Sequence, residues 1–375
     1  MRNVDLEELQ DLLRQMPVMV DMHPLSLAFL PSEVGVFEEP WQIISELDSP
    51  TLQPTNPMLA TRVESALQYR LPSVYCTHDP LTTELNKVLL KRYDFIKVSM
   101  LYQSQIADEI AQRADVETIV LMLVDGLSYA DVAGRKATRH HQHETDYELR
   151  PVLVDGVSIT EQGMVRIIGN PPLVQRLFDA GFHVCLGFTY WERAEEPLTD
   201  RIFAGFGERV YKVKSFDEAL SVLEDRELHN AFVQIVRTGL DGLAYRQRDT
   251  PNVKAAVEDI MDDWGQLVEV FETKDLRAWL YLVSDHGILW SHEHNLQVYE
   301  FSGADHPRHY EHAKSGEHTL NVEFEGREFA MLEYPYLRRQ LQSNEWGVHG
   351  GLSFEESLVP FMGTELTGVC RNGLE

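Results

Sequence analysis

The sequence predicts an α/β fold: a parallel sheet sandwiched by helices, with a mostly helical N-terminal segment and a His-rich C-terminal excursion of short strands and loops. Apolar runs of strand length at 117–124, 182–188, 231–236 and 278–284 alternate with amphipathic helical stretches at 171–180, 215–226 and 253–273. Near-continuous apolar strands are those buried on both faces, and the alternation with helices is the mark of parallel βαβ units. Three of the runs also lead into like endings: Asp125-Gly126 and Asp285-His286-Gly287 follow directly, and Asp241-Gly242 follows after Arg237-Thr238-Gly239-Leu240. In open α/β sheets the ligand crevice lies past the carboxyl ends of the strands, so this shared ending has a place in the fold.

Residues 1–115 read as a separate, mostly helical region. Leu6, Leu9, Leu12 and Leu13 fall at helical spacing, as do stretches at 81–92 and 103–114, around a connector carrying Pro50, Pro54 and Pro57. Its role is not legible. Residues 116–375 hold the sheet. Beyond its last apolar run lie eight of the fifteen histidines, from His286 to His349. Most are expected to be solvated or structural, because a metal site uses few ligands.

Composition narrows the function classes. Lys plus Arg number 33 against 60 Asp plus Glu, a net charge of −27, which disfavours non-specific nucleic-acid binding driven by counterion release. An anionic substrate then needs a local positive centre. With 43% hydrophobic and 10% aromatic residues the chain can bury a large core. Its longest apolar run, Ile119 to Val124, is far below the ~20 residues of a membrane helix. The charged, amphipathic start lacks a secretory signal's apolar region, so the expected location is the cytoplasm. Cys76, Cys185 and Cys370 are odd in number and widely spaced, which argues against a disulfide framework or a thiolate zinc site.

Carboxylates converging on one sheet edge repel one another unless a cation lies between them, and a divalent metal site is the economical solution. Any single Asp-Gly after a strand is more often a turn or a helix N-cap. Asp-His-Gly is more specific, because Asp and His together suit zinc or manganese. His349 stands out among the loop histidines: it lies in Trp346-Gly-Val-His-Gly-Gly351, where the glycines would let the chain bend it back toward the strand ends. Ser353 and Glu356 follow as a capping box opening a short helix. Ser158 and Thr160, two apart in an extended segment, face the same way, and either hydroxyl could meet the metal. Ser158 and Ser128 also read as helix caps, and Asp155-Gly156 is a rival to Asp125 after a shorter, less apolar strand.

VDG at 124–126, ITEQGMVRIIGNP at 159–171, SDHG at 284–287 and HGGLSFEE at 349–356 together resemble the alkaline phosphatase superfamily, specifically the PglZ domain, over about residues 117–362. The resemblance implies an alkaline-phosphatase-like core binding two divalent ions, zinc or alternatively manganese. Asp125, Thr160, Asp285 and His286 would hold one ion, with Thr160 as the nucleophile. Asp241 and His349 would hold the other. The family's Asp-x-x-x-His pair is broken here, since Tyr245 stands where the histidine would be. Tyrosine, with a pKa near 10, is a poor ligand at neutral pH. The second site is then weakened, absent or completed by another residue such as a loop histidine. Arg166 is a candidate for a phosphate oxygen, against the ordinary reading of a solvated helix arginine.

The implied activity is a metal-dependent phosphodiesterase or phosphatase acting on a phosphoester, with nucleotide or oligonucleotide phosphates as the substrate class and a prokaryotic anti-phage defence system, with protein partners, as the setting. Two alternatives stand beside it. One is a catalytically weakened scaffold that binds partner proteins, and the other is a phosphomutase-type phosphotransferase. No membrane contact is expected, and a homodimer remains an open expectation. The basic, His-rich stretch at 134–143 reads as an exposed loop.

Overall fold

The computed structural model describes residues 100–133, 147–189, 197–207, 209–246, 248–274, 276–299 and 306–367, with a few positions before residue 100. The chain forms two compact units, Met1–Ser99 and Met100–Glu375. In the first, Met19–Val20 pairs in parallel with Ser73–Val74. The helical repeat at Leu6–Leu13, the proline connector, most of 81–92 and the stretch at 134–143 lie outside the described residues.

The second unit is built on a seven-stranded sheet. Its strands are β1 (Thr118–Val124), β2 (Glu148–Leu153), β3 (Val184–Thr189), β4 (Val210–Lys212), β5 (Ala231–Arg237), β6 (Ala278–Ser284) and β7 (Leu358–Leu366), in the order β2-β7-β6-β1-β5-β3-β4. β1 pairs in parallel with both β5 and β6, and only β7 runs antiparallel to its neighbours. Every residue of β1 is buried. Alternate side chains serve opposite faces: Val120, Met122 and Val124 enter one core, Ile119, Leu121 and Leu123 the other.

Helices cover both faces. α1 (Ile106–Ala111), α2 (Thr160–Ile168) and α3 (Leu173–Asp179) pack on the second core, while α4 (Phe216–Glu224) and α6 (Val253–Glu272) pack on the first. α5 (Asp241–Arg246) is a short helix after β5. In α6, Val257, Ile260, Met261, Trp264, Leu267, Val268 and Phe271 form one buried stripe at helical spacing, and Asn252 caps it through Ala255 N. Burying one such side chain contributes roughly 1.5–3 kcal/mol, so a charge at Leu267 would undo the packing of α6.

The four apolar runs of the sequence are β1, β3, β5 and β6. Three further strands were illegible for physical reasons. β4 has three residues, and β2 is an edge strand buried only at its end. β7 carries Pro360 and Gly363, which read as breakers, yet Pro360 lies opposite Pro151 and just outside the ladder to β6. Between β6 and β7 lies the expected excursion, with a three-stranded antiparallel sheet of His309–Tyr310, Arg327–Leu332 and Thr319–Phe324. α7 (Phe354–Ser357) then leads into β7. Cys185 is buried and free. Among the described residues no helix is long and apolar enough to cross a membrane.

Candidate metal centre

The carboxyl ends of β1, β5 and β6 bring Asp125, Asp241, Asp285 and His286 to one edge, and α2 and the loop after Gly347 bring Thr160 and His349 to the same place. Asp125, Asp285 and His286 form one group of converging ligand atoms, and Asp241, His286 and His349 form another.

Thr160 begins α2 behind the extended residue Ile159. Its Oγ1 lies 3.3 Å from Asp125 Oδ1 and 3.1 Å from His286 Nε2. The approach depends on Gly163, one turn along α2, where a Cβ would overlap the Asp285 carbonyl. His286 and Asp285 are fully buried. Asp285 Oδ1 accepts from the amides of Gly126 and His286, both at 2.9 Å, which leaves Oδ2 buried with no hydrogen-bond partner. Ser284 Oγ ties the β6 end to the β1 end, accepting from Leu127 N and donating to His286 O. Beneath them the buried Gln103 donates to the carbonyls of Ser284 and Asp285.

Electrostatics report the same convergence. Burial, then the charges of Asp285 and Asp241, push the Asp125 pKa well above the usual carboxylate value. Burial lowers that of His286 despite Asp285. Its Nδ1 faces Gly287 O at 3.1 Å, and because a carbonyl only accepts, Nδ1 carries the proton and Nε2 presents a lone pair to Thr160. An unpartnered buried carboxylate oxygen, a second carboxylate, an imidazole lone pair and a hydroxyl make a donor set that fits zinc or manganese.

His349 is held differently. Its Nδ1 donates to Ser158 O at 2.9 Å, and its Nε2 lies 3.1 Å from Asp241 Oδ1. Burial disfavours charge on His349, but the hydrogen bond and charge of Asp241 outweigh it and raise the pKa. The rings of His286 and His349 stack 4.0 Å apart. Tyr245, one turn after Asp241 on α5, stands edge-on to His349 with ring centroids 5.7 Å apart. Burial and then the Asp241 charge hold its hydroxyl well above pKa 10, so it stays a phenol.

Several sequence readings change. Ser158 does not cap α2: it is fully buried, its Oγ donating to Gly351 O at 2.9 Å and accepting from Gly350 N at 3.0 Å. Both its lone pair and its proton are engaged away from the cluster. Arg166 is neither solvated nor in the cluster. At 7% exposure it donates to Val157 O and Gln162 Oε1 and lies over the Phe324 ring, bracing the segment before Thr160. Asp155 accepts from Ser104 in a loop. Ser128 does act as a cap, accepting from Asp131 N while Asp131 receives its amide. Of the two glycines after His349 only Gly350 has positive φ, at 100°. Gly351 is small for another reason, since a Cβ there would overlap the Arg308 guanidinium. No sequence signal marked Gln103 or Arg308, and Ser284 lay within the SDHG motif without a role assigned to it.

No family model matches the chain, and no curated protein matches it. Among solved structures it is similar to murine ectonucleotide pyrophosphatase/phosphodiesterase 5, at 13% identity over 66% of this chain and 88% of that one, with a TM-score of 0.44. It is also similar to phosphonoacetate hydrolase from Sinorhizobium meliloti 1021, at 12% identity over 68% and 91%, TM-score 0.43. A third is the C-terminal periplasmic domain of phosphoethanolamine transferase EptC from Campylobacter jejuni, at 10% identity over 66% and 79%, TM-score 0.35.

Proposed function

We propose that the chain is a metal-dependent phosphohydrolase with an alkaline-phosphatase-like layout, using Thr160 as nucleophile. The observation that carries this reading is the position of Thr160 Oγ1, on the first residue of a helix and within 3.3 Å of both His286 Nε2 and Asp125 Oδ1. Asp125, Asp285, His286 and Thr160 would hold one divalent ion, and Asp241 and His349 a second. Such ions acidify a hydroxyl and neutralise charge developing on a phosphoryl group.

The chain's own residues supply the rest. Thr160 Oγ, acidified at the ion that Asp125, Asp285 and His286 would hold, gives up its proton to solvent and forms a bond to phosphorus while the bond to the leaving oxygen breaks. The leaving group takes a proton from water. The first amides of α2, which begins at Thr160, would offer donors to the phosphoryl oxygens as a helix N-terminus does to an anion. Water then attacks phosphorus, the Thr160 Oγ–P bond breaks as Oγ takes a proton from that water, and a phosphomonoester from a diester, or phosphate from a monoester, leaves with Thr160 restored. The lone-pair tautomers of His286 and His349, set by Gly287 O and Ser158 O, keep both Nε2 atoms aimed inward.

A phosphodiester is the substrate class to test first. The PglZ resemblance carries the nucleotide or oligonucleotide substrate and the anti-phage setting. The test is hydrolysis of bis-p-nitrophenyl phosphate by metal-free protein reloaded with zinc or manganese, beside Thr160→Ala. Metal-dependent turnover lost in the variant supports the reading. A folded protein inactive with either metal favours the second reading, a partner-binding scaffold, for which Tyr245 in place of a ligand beside His349 is the specific observation.

A further inference from the structure

Arg308 heads the fully buried side chains of the described residues by size. Its guanidinium grips Glu356 with both arms, Nε to Oε1 at 3.0 Å and Nη2 to Oε2 at 2.6 Å, and both side chains are 0% exposed. Nη1 donates to the carbonyls of Glu333 and Tyr336 in the excursion. Glu356 Oε1 also accepts from Gly351 N at 2.9 Å. The pair therefore holds the excursion on one side and the loop after His349 on the other. From the opposite side Ser158 holds the same loop through Gly350 N and Gly351 O. Such a pair is costly to bury and is weak evidence for stability as such, so its placement needs another explanation.

We propose that Arg308 and Glu356 are positioning residues: the pair fixes the Gly350–Gly351 backbone against Ser158, and this sets the tautomer and aim of His349 toward Asp241. The inference rests on reading the cluster as a metal centre. His349 Nδ1 reaches Ser158 O only while the two segments stay in register, and the bond spans 191 residues of chain. Nothing comparable is needed on the other side of the cluster, where Asp285 and His286 are held by backbone amides and Ser284.

The test uses the full chain, metal-free, titrated with zinc against a chromophoric chelator. Asp285→Asn and His349→Ala mark which binding step belongs to which ligands. Arg308→Lys keeps the charge and loses the fork, Glu356→Gln keeps an acceptor for Gly351 and loses the charge. Arg308→Met with Glu356→Leu replaces the pair by apolar groups, a change that buried pairs often tolerate without unfolding. In all three, the step that His349→Ala removes is expected to weaken about 10- to 100-fold, with the Asp285 step unchanged. Nitrogen NMR of the metal-free protein is expected to show His349 Nδ1 protonated toward Ser158 O in the parent, with Asp241 facing Nε2, and a mixture of tautomers in the apolar pair variant. That readout needs no metal. Absence of any zinc step in the parent would sink the metal reading and leave the tautomer to decide the clamp. A folded apolar variant with the parent's tautomer and His349 step would overturn the proposal.

Discussion

The two halves of the strand-end cluster are built by different means. Asp125, Asp285 and His286 sit where two buried neighbouring strands, β1 and β6, end, and Asp285 and His286 are oriented by backbone amides, Ser284 and Gln103. Asp241 opens a six-residue helix, and His349 lies on a loop held by the side chains of the distant Ser158 and the nearby Glu356. The first half offers two carboxylates, an imidazole and the Thr160 hydroxyl. The second has Asp241 and His349, must share His286, and places a neutral phenol beside them. A ligand set on rigid strand ends is pre-arranged, whereas one on a loop depends on whatever holds the loop.

The largest expected effect breaks the comparison outright. Asp285→Asn should abolish the first zinc step and reduce phosphodiester turnover about a thousandfold, while Asp241→Asn should cost only about 10- to 100-fold, read from kcat/KM and zinc titration. Equal losses would erase the distinction. Next is Gly163→Ala, whose Cβ must displace α2 from the Asp285 carbonyl. Overpacking of this kind costs about 1–3 kcal/mol, seen as a lower Tm and a weaker first half with the His349 step intact.

Tyr245→His puts an imidazole one helical turn from Asp241, and should tighten the second zinc step about tenfold without moving the first. The smallest effect is in pH. The pKa of His349 lies above 6.5 in the metal-free protein and that of His286 below it. Zinc must therefore displace a proton from His349 Nε2 in the second half and compete with one on Asp125 in the first, while it meets an unprotonated His286, so acidification from about pH 8 to about pH 6 should weaken zinc binding, by at most about tenfold per pH unit for each proton displaced. The sign for stability follows from the same shift. A raised His349 pKa stabilises the metal-free fold fully below 6.5, and that stability is lost as the pH rises through the folded value. Asp125, also raised, acts in the same direction. Thermal scans should show a larger zinc-induced gain in Tm at about pH 8 than at about pH 6.

The apolar runs that became β1, β3, β5 and β6 were legible because strand burial is written in consecutive residues, and the carboxylates at their ends were legible by adjacency. β7 was not, since Pro360 is tolerated only because of which strands flank it. Ser158 was readable as a cap by its position before α2, but its hydroxyl is taken by Gly350 and Gly351, about 190 residues away. Glu356 was readable as half of a capping box. Ser353 does cap α7 through Glu356 N, but the Glu356 carboxylate serves Arg308 and Gly351 instead.

By itself the sequence determined the α/β alternation and the delivery of Asp125, Asp241, Asp285 and His286 to one sheet edge, because both are local properties of strands and the residues that end them. Only the family resemblance favours Thr160 over Ser158 in the sequence, and the tertiary structure alone decided that the Ser158 hydroxyl is held by Gly350 and Gly351, that Arg166 is a buried brace, and that Arg308 is joined to Glu356. The physical reason is that each of these depends on contacts with a segment far along the chain: Ser158 with Gly350 and Gly351, Arg166 with the Phe324 ring, and Arg308 with Glu356. A side chain's role there is set by which partner the folded chain places beside it.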